Sequence, residues 1–324
     1  MIIVTGGAGF IGSAIIAELN SRGISDIIVV DELATDAKWK NLRNLSFDDY
    51  FEKDNFLHMV LEGQFKNGIK AVFHLGACSS TTETDASYLI KNNFEYTKTL
   101  AHWSIDNNIR FIYASSAATY GDGSLGFGDD EDAIENLRPL NMYGYSKQMF
   151  DLWAKRHELL KKIVGLKYFN VFGPNEYHKA DMRSFVVKAF EQIKSTGKVK
   201  LFKSYNSKYD HGRQMRDFLY IKDAVDMTLF FLDNKKAAGI FNIGSGQARC
   251  WLDLTNAVFK ALNLEPNIEF VEMPMAIRDN YQYFTQAETG KLGLAGYNKP
   301  ATSLEDAIAD YVTNYLNKSE YNYL

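Results

Sequence analysis

A glycine-rich turn near the start of the chain constrains the fold more than any other feature of the sequence. Residues 5–12 read Thr-Gly-Gly-Ala-Gly-Phe-Ile-Gly, between an apolar run and a helical pattern. Read as Gly7-x-Gly9-x-x-Gly12, the glycines permit a tight turn, close approach of the backbone to a pyrophosphate, and close packing of the helix on the strand. Asp31 ends the next apolar run about 20 residues later, where a carboxylate can accept a hydrogen bond from a ribose hydroxyl. Together these features predict a dinucleotide site.

Short β-branched or aromatic runs alternate with longer helical patterns along the chain. They predict strands at residues 2–4, 27–30, 71–75, 111–114, 164–169 and 240–243. Helices are predicted at residues 11–21, ending at Gly23, and at 85–107. This alternation predicts an α/β fold with a doubly wound parallel sheet of the Rossmann type.

The alternation breaks after Pro174, where a polar, aromatic and basic stretch runs to residue 216. It resumes at residues 218–244 and gives way again from Trp251, where a helix, a short strand and a last helix are predicted. We therefore expect a nucleotide-binding domain at 1–171 plus 217–245. A smaller, discontinuous α/β domain for the substrate is expected at 172–216 plus 246–324, with a ligand cleft between the two.

Charge and cysteine content narrow the class of protein. Lys and Arg total 36 against 40 Asp and Glu, and the formal net charge of -4 gives no global attraction for nucleic acid or acidic membranes. The 324 residues include only two cysteines, which favours a reducing compartment, and a cytoplasmic protein is expected. The start of the sequence has neither the basic region of a signal peptide nor an apolar run long enough for a membrane anchor.

Residues suited to proton transfer occur in two places. Ser115 and Ser116 close the apolar run 111–114, at the end of a strand where open α/β sheets hold their ligands. Tyr143 and Lys147 are four residues apart on a predicted helix and therefore share one face. A buried ammonium and an oxidised nicotinamide ring could together lower the tyrosine pKa from about 10 to about 7. The spacing alone occurs often by chance, but its order after the glycine turn and the serines favours catalysis.

These segments together resemble the extended short-chain dehydrogenase/reductase superfamily, in its nucleotide-sugar branch. The resemblance covers nearly the whole chain and includes His74-Leu75-Gly76-Ala77, residues 168–174 and Arg216-Asp217-Phe218. Dehydratases of this branch carry an Asp-Glu pair where Ala117-Ala118 stand here, so dehydration is disfavoured.

Residues 76–83, Gly-Ala-Cys-Ser-Ser-Thr-Thr-Glu, make the resemblance more specific. Together with residues 1–13, Tyr113 to Gly121, His178-Lys179 and residues 281–287, they look like the family of ADP-L-glycero-D-manno-heptose 6-epimerases. The resemblance implies a tightly held NADP that takes hydride from C6″ of the heptose, leaving a transient ketone, and returns it to the other face. A role in synthesis of the lipopolysaccharide inner core and a homo-oligomer, expected to be a pentamer, are implied as well.

The resemblance also implies the site residues. The catalytic residues match Tyr143 and Lys179 as the two proton-transfer groups, Ser116 as their hydrogen-bonding partner and Lys147 as an aid to Tyr143. The cofactor residues are Gly6, Gly9, Phe10, Ile11, Gly12, Asp31, Glu32, Lys38, Lys53, Leu75, Gly76, Ala77, Cys78, Ser79, Asn92, Lys147, Val171 and Lys179. The substrate residues are Ser116, Asn170, Asp181, Lys188, Phe202, Lys203, Ser204, Tyr205, Arg213, Arg216 and Tyr281.

Several alternatives stay open at the level of sequence. Asp31 and Glu32 would repel the 2′-phosphate of NADP while Lys38 and Lys53 could offset that repulsion, so charge alone leaves NAD and NADP nearly even. Residues Asp181 and Lys188 stand where the family has serine and histidine, and the segment 204–214 looks longer than in the family.

Other functions of the same residues are also possible. Arg213 and Arg216 are alternative clamps for a diphosphate, and Lys179 could instead contact a phosphate or solvent. Two other functions also remain open: that of another nucleotide-sugar epimerase or reductase, and that of a non-catalytic cofactor sensor. The six histidines show no metal-ligand spacing, so no metal is expected, and Cys78 is expected to be a packed small residue.

Overall fold

The structure is a computed structural model that describes residues 1–65, 68–278 and 281–324. In chain order, its strands are β1 (Ile2–Thr5), β2 (Ile27–Asp31), β3 (Asp49–Glu52), β4 (Ala71–His74), β5 (Arg110–Ser116), β6 (Val164–Tyr168), β7 (Asn170–Phe172), β8 (Val199–Phe202), β9 (Met215–Tyr220), β10 (Gly239–Ile243), β11 (Ala248–Cys250) and β12 (Ile268–Val271).

Helices connect most of these strands. They are α1 (Phe10–Ser21), α2 (Lys53–Leu61), α3 (Ala86–Leu89), α4 (Tyr96–Asp106), α5 (Met142–Arg156), α6 (Phe185–Thr196), α7 (Ile221–Asp233), α8 (Trp251–Ala261), α9 (Met275–Arg278), α10 (Gly290–Leu294) and α11 (Leu304–Asp310). Wider π-helical turns join α3 to α4 (Ile90–Glu95) and follow α11 (Tyr311–Leu316). Short 3-10 turns lie at Ala37–Asn41, Ala117–Tyr120, Glu131–Asn136, Leu159–Lys161 and Tyr177–Met182.

The central sheet contains seven parallel strands in the order β10-β6-β5-β4-β1-β2-β3. Successive side chains of a strand point to opposite faces, so Val4 packs in the core under α1 and α7, whereas Ile3 packs in the core under α4 and α5. This arrangement confirms the doubly wound α/β prediction. It also brings the carboxyl ends of β1, β2, β4 and β5 to one edge, where ligands of such sheets bind.

A smaller region lies beyond this edge. It contains a three-stranded sheet, β11-β9-β7, in which β9 runs parallel to β7 and antiparallel to β11, and a two-stranded parallel sheet of β12 and β8. Helices α6, α8 and α11 pack with these strands and with one another. The smaller α/β region expected from the sequence is therefore present.

The structure differs from the sequence predictions at three places. Strand β3 is an edge strand with half-exposed side chains, and so lacks the apolar run that marks the other strands. The polar stretch at 175–216 contains α6 and β8, which the sequence did not predict. Only one face of each is buried, so neither has a continuous apolar run. Strand β9 pairs in the smaller sheet and crosses the expected boundary at residue 217, while the domain limits themselves stay a prediction.

Candidate active site

The glycine turn between β1 and α1 is shaped by backbone contacts that exclude side chains. Gly6 has a φ of +67°, and a Cβ there would lie 2.7 Å from the Gly76 nitrogen. A Cβ on Gly12 would lie 2.1 Å from the Gly6 carbonyl oxygen. The tight turn thus falls on Gly6, not on Gly7 as the sequence reading had it, and Gly7 instead packs against Val29. The cradle fits a pyrophosphate, because the first amides of α1 have no side-chain cap.

A cleft of about 830 Å³ extends from this turn into the smaller region. Its lining includes all four residues expected to be catalytic: Ser116, Tyr143, Lys147 and Lys179. The lining also contains these expected cofactor residues: Gly6, Gly9, Phe10, Ile11, Gly12, Asp31, Lys38, Leu75, Gly76, Ala77, Cys78, Ser79 and Val171. Of the expected substrate residues, Ser116, Asn170 and Lys188 line this cleft.

Helix α5 presents Tyr143 and Lys147 to the end of β5. The Asn141 side chain caps α5 by accepting a hydrogen bond from the Gly144 amide at 2.8 Å. A Cβ on Gly144 would lie 2.8 Å from the Ala118 carbonyl oxygen, so glycine allows the helix to approach the turn after Ser116. Lys147 Nζ donates to the Ala114 carbonyl oxygen at 2.8 Å. Lys147 is therefore fixed against the end of β5, and Tyr143 lines the same cleft from the same helix.

Ser116 is oriented toward Tyr143. Its Oγ accepts a hydrogen bond from the Ala118 amide at 3.1 Å. Burial raises the pKa of Tyr143, while the nearby Ser116 hydroxyl acts to lower it. The expected fall of this pKa to about 7 is therefore not produced by the protein alone.

Lys147 itself is a buried cation, 5% exposed. Burial lowers its pKa to about 8, while the charge of Asp151 acts in the opposite direction. His74 lies nearby on β4, and burial lowers its pKa to about 3, so this imidazole is neutral. The lysine ammonium is thus the principal positive charge at this end of the cleft.

Lys179 lies on the segment from Tyr177 to Met182, across from the glycine turn. Its Nζ is 5.6 Å from the centroid of the Phe10 ring, which belongs to the first turn of α1. Burial lowers the pKa of Lys179, which agrees in direction with its expected role as a base, and the Glu176 carboxylate opposes this effect. The next residue, Ala180, has a φ of 45°, which is unusual for a residue with a Cβ.

Both carboxylates at the end of β2 are paired with lysines. Lys38 Nζ lies 2.8 Å from Asp31 Oδ1, and the other oxygen of Asp31 accepts from the Ala8 amide at 2.8 Å. Lys53 Nζ lies 3.3 Å from Glu32 Oε2, outside the cleft lining. Lys38 and Lys53 therefore lie close enough to Asp31 and Glu32 to offset their negative charges.

An asparagine that sequence reasoning missed supports the loop after β4. Asn93 is fully buried, accepts a hydrogen bond from the Cys78 amide at 2.8 Å and donates to the Cys78 carbonyl at 2.9 Å. Its neighbour Asn92 donates to the Tyr88 carbonyl and does not line the cleft. The cofactor contact expected of Asn92 therefore stays a prediction, and in the sequence only the neighbouring asparagine hinted at Asn93.

Arg216 is held between two aromatic rings next to the cleft, and its own side chain is not part of the cleft lining. Its guanidinium carbon is 5.7 Å from the Trp251 ring centroid and 5.2 Å from that of Tyr281, and the residue is 7% exposed. The Tyr281 hydroxyl accepts from Trp251 Nε1 at 2.9 Å, and Trp251 lines the cleft. A buried, always charged guanidinium beside a cleft is suited to bind a diphosphate.

The other expected substrate residues are spread more widely. Ser204, Tyr205 and the exposed Arg213 line a second cavity of about 610 Å³, formed by the long segment 204–214. Neither cavity is lined by Phe202, Lys203, Arg216 or Tyr281. Asp181 contributes its carbonyl oxygen to Lys188 Nζ at 2.7 Å.

Both cysteines are free, with Cys78 in the cleft lining and Cys250 buried. Across residues 1–65, 68–278 and 281–324, no group of three or more His, Cys, Asp or Glu side chains is placed to hold a metal ion. No helix in the same ranges is long and apolar enough to cross a membrane.

Comparison with known proteins places these features in context. The model of the NAD dependent epimerase/dehydratase family matches residues 2–244. A protein of Nitratidesulfovibrio vulgaris named ADP-L-glycero-D-manno-heptose-6-epimerase is 54% identical over 316 residues, covering 98% of each chain. A protein of Fusobacterium nucleatum with the same name is 49% identical, with 99% of each chain covered.

Solved structures agree in fold. The crystal structure of ADP-L-glycero-D-manno-heptose-6-epimerase from Helicobacter pylori superposes with a TM-score of 0.81 at 27% identity, covering 97% of this chain and 95% of the other. A Thermus thermophilus UDP-glucose 4-epimerase in complex with NAD has a TM-score of 0.73 at 24% identity, covering 96% and 97%. The second likeness concerns the fold alone.

Proposed function

Because the chain belongs to the NAD dependent epimerase/dehydratase family, we propose that it is an isomerase that converts ADP-D-glycero-D-manno-heptose to ADP-L-glycero-D-manno-heptose by inverting C6″. The observation that carries this proposal is that Ser116, Tyr143, Lys147 and Lys179 line one cleft that begins at a dinucleotide cradle. The relatives' shared name supports the choice of sugar. The product would serve synthesis of the lipopolysaccharide inner core.

The cofactor belongs to the nicotinamide class, and we propose that it is NADP. A bound nicotinamide nucleotide supplies reversible hydride transfer. Gly6, Gly9 and Gly12 would hold its pyrophosphate against the first amides of α1. Since Asp31 and Glu32 are each paired with a lysine, the end of β2 no longer repels a 2′-phosphate, and Lys38 and Lys53 can bind it.

Two acid-base groups are proposed because the two epimers present their hydroxyls differently at C6″. Tyr143, which lines the cleft together with Ser116, would exchange a proton with the hydroxyl of one epimer. Lys179, on a different element and with a lowered pKa, would do so for the other. Lys147 favours the phenolate form of Tyr143 by its charge, and the ketone formed in between stays in the cleft.

We assign the nucleotide end of the substrate to Arg216. Its burial between Trp251 and Tyr281 gives it a fixed geometry, whereas Arg213 is exposed on the second cavity. A homo-oligomer, expected as a pentamer, and a cytoplasmic location also belong to this proposal. The free thiols of Cys78 and Cys250 are consistent with a reducing compartment.

Incubation of the purified protein with ADP-D-glycero-D-manno-heptose and no added cofactor tests the proposal. We expect the L-glycero epimer, identified by its C6″ stereochemistry. Lys179→Met should slow this reaction at least about 100-fold while the bound nucleotide is retained. Inversion at another carbon, or none, would contradict the proposed substrate. Near-normal turnover of the variant would remove Lys179 from the mechanism.

A further inference from the structure

Residues 321–324, here called the strap, cross the outer side of the segment that carries Lys179. The Tyr321 ring lies 4.8 Å from the Tyr177 ring, and the Tyr323 ring meets the same Tyr177 ring edge-on at 5.2 Å. The Tyr177 hydroxyl donates to the Asn322 carbonyl oxygen at 2.8 Å. Tyr177 precedes Lys179 by two residues, so the strap contacts the side chain of a residue close to Lys179 in the same segment.

A second contact joins the strap to the start of the same segment. The Leu324 amide donates to Asn175 Oδ1 at 3.0 Å, and Asn175 Nδ2 donates to Ser13 Oγ on α1 at 3.0 Å. Asn175 is fully buried and has a φ of +77°, a conformation that asparagine tolerates better than most residues. Its side chain therefore links the strap to the helix that begins at the glycine turn.

The strap also reaches the neighbourhood of Lys38. The guanidinium carbon of Arg43 lies 5.0 Å from the Tyr323 ring centroid. Arg43 follows the turn Ala37–Asn41, whose Asn41 Nδ2 donates to the carbonyl oxygens of Ala8 and Asn175. Asn41 Nδ2 also lies 3.3 Å from His178 Nδ1. The strap thus contacts both the segment that carries Lys179 and a residue next to the turn that carries Lys38, at the expected 2′-phosphate end of the cleft.

Within the segment, Asn175, Glu176 and Tyr177 are anchored outside the cleft lining, whereas His178 and Lys179 line the cleft. The Glu176 carboxylate accepts hydrogen bonds from the Gly173 amide, the Ser184 hydroxyl and the Tyr311 hydroxyl. The strap holds Asn175 and Tyr177, and the Lys179 ammonium extends from this anchored backbone to the Phe10 ring in the cleft. The backbone that carries Lys179 is therefore held by contacts outside the cleft lining.

We propose that the strap positions Lys179 for proton transfer, with Tyr177 and Tyr323 as the positioning residues. This inference rests on the proposed function, in which Lys179 exchanges a proton with the substrate. A displacement of about 1 Å of a reacting group can cost about 100-fold in rate. Loosening the strap should therefore slow turnover more than it weakens binding, because the strap touches neither expected ligand.

Tyr323→Ala tests the inference, with Tyr323→Phe as its matched control. Tyr323→Ala removes the ring on Tyr177 and Arg43, whereas phenylalanine keeps it. For the alanine variant we expect kcat to fall at least about 10-fold with KM changed less than about 3-fold. Amide hydrogen exchange at residues 175–183 should rise at least about 10-fold, with β1, β4 and β5 unchanged. The phenylalanine variant should match the parent protein in all three.

The two readouts separate the possible failures. Unchanged exchange at 175–183, or an equal rise throughout the central sheet, would overturn the strap as a local support. Faster local exchange with an unchanged kcat would overturn its positioning role if Lys179→Met is inactive. If Lys179→Met turns over normally, the role of Lys179 in the proposed function fails instead, and with it the strap's part in the chemistry.

Discussion

Replacing Asp151 with asparagine should move the alkaline limit of activity to lower pH. Asp151 is fully buried on α5, and its two oxygens accept hydrogen bonds from the Tyr113 hydroxyl at 2.8 Å and the Ser115 hydroxyl at 2.7 Å. It follows Lys147 by one helical turn and opposes the loss of the Lys147 proton. Since the ammonium form of Lys147 favours the Tyr143 phenolate, activity should fall as pH rises through the Lys147 pKa.

The size of the shift follows from the geometry of the helix. Residues four apart lie about 6 Å from each other, and at an effective dielectric constant of about 20 two unit charges then interact by about 3 kcal/mol. That energy corresponds to about 2 pKa units. Burial holds the pKa of Lys147 at about 8, so the variant's alkaline limit should fall toward about 6.

Other charged groups also lie near Lys147 and Asp151, and a control variant separates their effect from that of Asp151. His74 and Cys78 face Lys147 from β4 and the loop after it, and Lys167 on β6 faces Asp151. Asp129→Asn removes another buried carboxylate, one that interacts with Lys167 and accepts from the Asn242 amide. It should leave the Lys147 limit in place.

The assay is the pH dependence of kcat/KM for ADP-heptose epimerisation, from about pH 5.5 to 9.5, for the parent protein and both variants. A direct titration of the Lys147 side chain by NMR checks the same shift without turnover. If Asp151→Asn lowered the rate equally at every pH, or if Asp129→Asn moved the limit as far, the electrostatic reasoning would be wrong.

Three further predictions concern the cofactor, the substrate and stability. Lys38→Ala should weaken NADP binding about 10- to 100-fold more than it weakens NAD binding, because it removes a contact to the 2′-phosphate and leaves the charge of Asp31 unpaired. Titration of nucleotide-free protein with each nucleotide measures this difference. Equal losses of affinity for the two nucleotides would contradict NADP as the cofactor. Arg216→Lys should raise the KM for ADP-heptose at least about 10-fold, whereas Arg213→Lys should change it less than about 3-fold. A larger rise in KM for the Arg213 variant would place the diphosphate at Arg213. His74 has a pKa of about 3 in the fold, so the unfolded chain protonates first, and acidification from pH 7 to 5 should remove about 2 kcal/mol of unfolding free energy. His74→Asn should lose less than the parent protein in urea unfolding over that interval; an identical loss would show that His74 does not carry the effect.

The local parts of the site were predictable because their residues are close in sequence. The glycine turn combines a strand end with a helix start over eight residues, and Tyr143 and Lys147 share a helix face whatever the rest of the chain does. Ser116 and Asp31 follow from the rule that strand ends meet at one edge. These placements needed only the alternation of strands and helices.

Long-range contacts were not predictable in the same way. Asn93 supports Cys78 because a π-helical turn brings it beneath the loop after β4, and no pattern in the sequence encodes that approach. The strap reaches Asn175 across 149 positions. The raised pKa of Tyr143 shows a different limit, since spacing identifies a neighbouring cation but does not measure how deeply the phenol is buried.

The most direct test of the proposed reaction follows the hydrogen at C6″ in heavy water. The protein, with no nucleotide added, is incubated with ADP-D-glycero-D-manno-heptose in D2O, and the product is analysed by NMR. If the hydride leaves and returns within one cleft, the L-glycero product carries protium at C6″. Deuterium at C6″, or turnover that requires an added nucleotide in proportion to product, would contradict the account.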